Sequence, residues 1–144
     1  MRAIVIKQYG GPDVLTIEER PDPKPESGQV VIEVKAFGVN HAETHMREGK
    51  WPEIAEISGI ECAGLVKADP SGRYSSGQKV VAFMGGMGRS IGGSYAEFTR
   101  VPLSNVIRVE TELAWEELAA IPESYATGGS ACTATLLLPK DGQS

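Results

Sequence analysis

Gly28-Gln29-Val30-Val31-Ile32-Glu33-Val34-Lys35-Ala36-Phe37 is the stretch that decides the fold. From Val30 to Phe37 it reads as a strand, with Ile32, Val34 and Ala36 on one side and Glu33 and Lys35 on the other. Working outward, the same alternation marks Arg2 to Ile6, Leu15 to Glu18, Cys62 to Lys67, Lys79 to Phe83, Ser94 to Val101 and Asn105 to Val109. Gly-Pro and Pro-rich turns separate the first of these, and Asp69-Pro70-Ser71-Gly72 makes a turn between Lys67 and Lys79. Seventeen glycines and nine prolines fit many short strands joined by turns. Short strands at this spacing imply a mainly β chain and a closed or partly closed barrel, because closure removes exposed edges.

Helix is limited. Asn40 is placed to cap a short helix through Glu48, stopped by Gly49. Thr111 is placed to cap a second, covering Ala114 to Ala120 and ending before Pro122. A third candidate runs from Glu123 toward Leu138, weakened by Gly128-Gly129 at about 1 kcal/mol per glycine relative to alanine.

At 144 residues, one compact domain is the expectation. Hydrophobic residues are 41% and charged residues 23%, a globular composition. The formal net charge is -5 and there is no basic block, which argues against a nucleic-acid partner. Cys62 and Cys132 form no C-x-x-C pair, and no signal peptide is evident, so both cysteines read as reduced and the chain as cytoplasmic. Leu136-Leu137-Leu138 is far too short to span a bilayer, so no membrane partner is expected.

Gly38-Val39-Asn40-His41-Ala42-Glu43 and Gly59-Ile60-Glu61 together resemble the active-site signatures of the medium-chain dehydrogenase/reductase superfamily. The resemblance extends to Met1-Arg2-Ala3-Ile4-Val5-Ile6 with Tyr9-Gly10-Gly11-Pro12, to the long strand from Pro25 through Phe37, and to Gly77-Gln78-Lys79-Val80-Val81-Ala82. Gly93-Ser94-Tyr95-Ala96-Glu97-Phe98 and Ile121-Pro122-Glu123-Ser124-Tyr125-Ala126-Thr127 match two more of its motifs. The implied fold is a GroES-like partly closed barrel with a few short helices. It would form a catalytic domain over 1–126, with 127–144 beginning a linker helix and turn. Pro139-Lys140-Asp141-Gly142-Gln143 reads as the turn before the strand that opens a Rossmann domain in the family, so the chain looks truncated before that domain.

In the family's zinc alcohol dehydrogenases the first signature carries a cysteine ligand and the second reads Gly-His-Glu. Here Asn40 and Ile60 stand at those positions. Isoleucine has no lone pair to offer, and a neutral amide is a poor zinc ligand. A four-cysteine lobe is also absent after Val81. The resemblance therefore points to the zinc-independent, quinone oxidoreductase-like branch, with no zinc expected. His41 and His45 share a helix face, and Glu61 could complete a zinc triad with them, although nothing in the sequence fixes Glu61 beside them.

By the same resemblance Asn40 takes the ligand-cysteine position, His45 matches a position where quinone reductases often carry tyrosine, and Trp51 matches an aromatic position before Pro52. Asn40 and His45 are read as catalytic N–H donors to a carbonyl oxygen and Trp51 as an apolar wall for the substrate. As a cap, Asn40 would use its oxygen and leave its NH2 free. Thr127 matches a residue near the nicotinamide ribose, and Glu61 a supporting acceptor near the cofactor. Tyr95 reads as packing. Gly86-Met87-Gly88 with Gly92 resembles a dinucleotide fingerprint, but an alternating stretch follows instead of a helix, so it reads as a loop.

The function implied is NADPH-dependent reduction of quinones or electron-poor enones by hydride transfer, with NADPH bound mainly by a further domain and this portion inactive alone. A homodimer is open for the full-length protein. Two alternatives stay open: a stand-alone GroES-like binding module, and a zinc-type alcohol dehydrogenase with a non-standard metal site.

Overall fold

The computed structural model describes residues 1–124. Two sheets carry it. A hairpin pairs β1 (Arg2–Ile6) with β2 (Leu15–Glu19), Ile4 opposite Ile17. The larger sheet is antiparallel throughout and holds β3 (Gln29–Ala36), β4 (Glu61–Ala68), β5 (Lys79–Phe83), β6 (Phe98–Pro102) and β7 (Val106–Arg108), in the order β6-β3-β4-β5-β7. It curls into a half-barrel, as the mainly β reading expects.

The curl has local causes. The β3–β4 ladder shifts register between Val31 and Ile32 and again between Val34 and Ala36, and such irregularities bend and twist a sheet. Gly64 sits within this ladder opposite Val34, where a Cβ would overlap the Glu33 carbonyl. Only glycine admits that approach.

Strand alternation sorts the side chains onto two faces. Val30, Ile32, Cys62, Val66, Val80, Ala82, Val101 and Val106 fill the interior together with Tyr74 and Met87. Each large aliphatic buried there contributes about 1.5–3 kcal/mol. The other face, at Ala63 and Val81, is covered by Leu118 and Ala119 of α2 (Trp115–Ala119). The Tyr74 hydroxyl donates to the Val106 carbonyl at 2.7 Å and so ties the 69–78 turn to β7.

Two expectations need correction. Residues 94–97 are not the first half of β6. Only the Glu97 carbonyl still reaches β3, accepting the Val34 N–H at 2.9 Å; the other bonds go elsewhere, Tyr95 N–H to the Ser58 carbonyl, Glu97 N–H to the Arg2 carbonyl, and Ile4 N–H to the Tyr95 carbonyl. The segment thus crosses between the two sheets and joins them. Thr111 does not cap α2, which starts after Ala114. The Thr111 hydroxyl instead accepts the Leu113 N–H, while Glu117 Oε2 reaches back to the Ala114 N–H at 3.3 Å. Residues 122–124 are helical, as the third candidate expects at its start; the rest of that candidate, Thr127, Cys132, the hinge beyond Ser124 and the turn at Pro139 lie outside the described residues.

Candidate active site

The site is built around the N-terminus of α1 (His41–Arg47), the helix expected after Asn40. Asn40 is its N-cap in extended conformation, and Gly49 lies just past the end at φ +76°. Asn40 and Glu43 stand in capping-box spacing, and Glu43 Oε2 accepts the Asn40 backbone N–H at 2.5 Å. Glu43 then does more than cap. Its side chain points inward and is only 4% exposed. Oε1 accepts the Ile60 backbone N–H at 3.0 Å, and Oε2 accepts the Tyr95 hydroxyl at 2.8 Å. One carboxylate therefore pins the helix start, the entry to β4 and the inter-sheet crossing.

Glu61, 2% exposed, is the second buried carboxylate. Its Oε1 accepts a hydrogen bond from the Asn40 side-chain NH2 at 2.8 Å, and its Oε2 accepts the Glu123 backbone N–H at 2.7 Å. Gly38 makes room for this pairing, since a Cβ there would overlap Glu61 Oε1. Asn40 thus does not leave its NH2 free, as a simple cap would. One N–H is committed to Glu61, and the amide has one other.

Burial dominates the electrostatics. It pushes the Glu43 carboxyl above its ordinary range, with the neighbouring Glu61 charge adding to the rise and the three donors opposing it. Burial, and then the Glu43 charge, push the Tyr95 phenol well above its usual range. The Cys62 thiol is pushed up to about 12 by burial and then by Glu61, so it is protonated and inert.

The residues singled out in the sequence, Thr127 excepted, can now be placed. Asn40 and His45 sit at opposite ends of α1, about 7.5 Å apart along the axis by helical rise. His45 packs edge-to-face on the exposed His41, ring centroids 4.7 Å apart, and its Nδ1 is buried without a partner. Trp51 is half-buried, and the Arg89 guanidinium lies 5.0 Å over its ring, so the indole is not an open wall on both faces. Tyr95 does pack, against Phe37 with centroids 4.5 Å apart, but it also holds Glu43. Sequence reasoning passed over Glu43, whose capping-box spacing was the available signal, and over Arg89, which carried none.

The metal alternatives fit poorly. Ile60 is a buried aliphatic side chain, 5% exposed, where a histidine ligand would be needed. Glu61 spends both oxygens on Asn40 and Glu123 rather than facing the histidine pair. Among the described residues no group of three or more His, Cys, Asp or Glu side chains is arranged to hold a metal ion. The glycine-rich loop is followed by residues 94–97 and β6, not by a helix, so the described residues offer no dinucleotide phosphate site there. No helix among them is long and apolar enough to cross a membrane.

Residues 26–111 match the alcohol dehydrogenase GroES-like domain. The chain belongs to that family. The chain is also 34% identical, over 135 residues, to a quinone oxidoreductase from Lama guanicoe, a match covering 88% of this chain and 39% of the relative. It is 30% identical to the mouse synaptic vesicle membrane protein VAT-1 homolog-like, over 88% of this chain and 30% of that protein. A mycobacterial protein solved in complex with NADPH superposes with a TM-score of 0.81 at 31% identity, over 96% of this chain and 41% of the other. The chain therefore spans about 30–41% of the length of these relatives.

Proposed function

We propose that this GroES-like domain, spanning 1–126 with 127–144 leading into a linker, is the substrate-side half of a cytoplasmic, NADPH-dependent oxidoreductase. It acts on quinones or electron-poor enones and needs no zinc. The likeness to a quinone oxidoreductase and to an NADPH-bound structure supports the reaction class. The observation that carries the mechanism is the Asn40–Glu61 hydrogen bond of 2.8 Å.

When bound, chiefly by a further domain, NADPH supplies a hydride. This chain's task is the carbonyl oxygen on which charge develops. Asn40 stands where zinc dehydrogenases place a ligand cysteine. Glu61 holds one of its amide hydrogens and fixes the plane of the group, and the second hydrogen is the donor to the oxygen. An oriented donor needs no reorganisation as charge develops, which is the source of its catalytic value. His45, whose Nδ1 is unsatisfied inside the fold, supplies a second polar contact. Trp51 flanks the flat substrate. Thr127 is assigned to the nicotinamide-ribose end, and Glu61 supports both Asn40 and, through the Glu123 N–H, the segment that leads toward the linker.

The test is NADPH oxidation with a neutral p-quinone. The 144-residue chain should be inactive, and a protein extended through a cofactor-binding domain should turn over. Turnover by the short chain, or none by the extended one, contradicts the reading.

A further inference from the structure

Arg89 is the feature that this reading leaves unused. Among the described residues its guanidinium has no carboxylate within ion-pair distance and no hydrogen-bond acceptor, and its Nε is buried and unpaired. Leaving a buried donor unsatisfied costs about 1–3 kcal/mol. The cation–π contact with Trp51 returns only about 0.5–1 kcal/mol at a partly exposed site. The contact does not account for the charge.

The position is fixed. The Arg89 and Ile91 N–H groups both donate to the Gly86 carbonyl, at 3.0 and 3.1 Å. The loop is tied to the segment after Trp51 by the Ala55 N–H, which donates to the Gly88 carbonyl at 3.0 Å. Gly88 also packs on the backbone of Ser58 and Gly59, directly before Ile60 and Glu61. The backbone next to Arg89 is thereby fixed beside the segment that leads into the strand carrying Glu61. With the indole on one side and Nε buried, the terminal amino groups are what the guanidinium can offer a planar anion.

We infer that Arg89, lying over Trp51, is a specificity residue that selects an anionic substrate, a quinone or enone bearing a carboxylate on or beside its conjugated ring. The inference rests on the reading of the Asn40–Trp51 surface as the substrate side. It adds the charge of the substrate, which the Asn40 donor does not specify.

Binding separates this inference from turnover. Titration calorimetry on the 144-residue chain would compare 1,4-naphthoquinone-2-carboxylate with its methyl ester. The acid should bind about tenfold more tightly than the ester, the gain of one charge-assisted contact. Arg89→Gln should erase that preference by weakening the acid alone, and Arg89→Lys should restore part of it. Equal affinities, no binding of the acid, or a preference that survives Arg89→Gln would overturn the inference. A purely structural Arg89 would shift both ligands together. If the extended enzyme fails to oxidise NADPH while the acid preference holds, the reaction assignment falls and the anion site stands.

Discussion

The Tyr95 hydroxyl donates to Glu43 Oε2 at 2.8 Å across 52 positions of sequence. The bond joins the segment between the sheets to the first turn of α1, and it supports the charged form of a carboxylate that burial drives toward protonation. Tyr95→Phe should therefore destabilise the chain by about 1–3 kcal/mol at pH 7. Urea unfolding reads it directly. A change within about 0.5 kcal/mol, the range of ordinary surface substitutions, would mean that the hydroxyl does not hold Glu43.

The same carboxylate fixes a pH dependence. The folded value of Glu43 lies above the usual 4.5, so the fold binds its proton more tightly than the unfolded chain does. Between these two values stability falls as pH rises, and above the folded value the penalty is complete. Tyr95→Phe removes a donor to the ionised form, so it should raise the folded value and widen that window. Glu43→Gln should remove this contribution altogether. Identical slopes above pH 4.5 in wild type and Glu43→Gln would contradict the assignment.

Much of the fold was legible because alternation reports two-faced strands directly. β1 and β5 lie where the pattern put them, and β3 and β4 differ only at their ends. What was missed depends on partners far away in sequence. Residues 94–97 alternate like a strand, yet they pair with Arg2, Ile4 and Ser58 rather than extending β6. At the site, Asn40 as the cap of α1 was readable from residue type and position. Its bond to Glu61 was not, because it depends on β4 bringing a residue 21 positions away against Gly38. The cation over Trp51 comes from a loop whose glycines say only that it turns.

Gly38 is a sharp probe of that arrangement. Gly38→Ala would drive a methyl group into Glu61 Oε1 and toward the Ala119 carbonyl. Overpacking of this kind costs about 1–3 kcal/mol, and displacing Glu61 should also release Asn40. Gly92→Ala is the control, because a Cβ there meets nothing within 4 Å. Thermal melts of both should separate them clearly, and equal melting temperatures would show that Glu61 is not locked against Gly38.

Zinc content follows from the donor set. On the proposed reading Asn40 and the buried Ile60 stand where a zinc enzyme would need ligands, and both oxygens of Glu61 are engaged. Elemental analysis after dialysis should find well under one zinc per chain. One zinc per chain, lost in His41→Ala or His45→Ala, would replace this account with a helix-histidine metal site.

The most direct measurement compares Asn40→Ala with wild type in a protein extended through its cofactor-binding domain, using NADPH and a neutral quinone. Losing one donor to the developing oxyanion should lower kcat about 100-fold. In the fold the variant loses the donor to the buried Glu61, which should cost about 1–3 kcal/mol of stability. A kcat within twofold of wild type, or a loss of activity that merely tracks unfolding, would contradict the claim that Asn40, held by Glu61, polarises the substrate carbonyl.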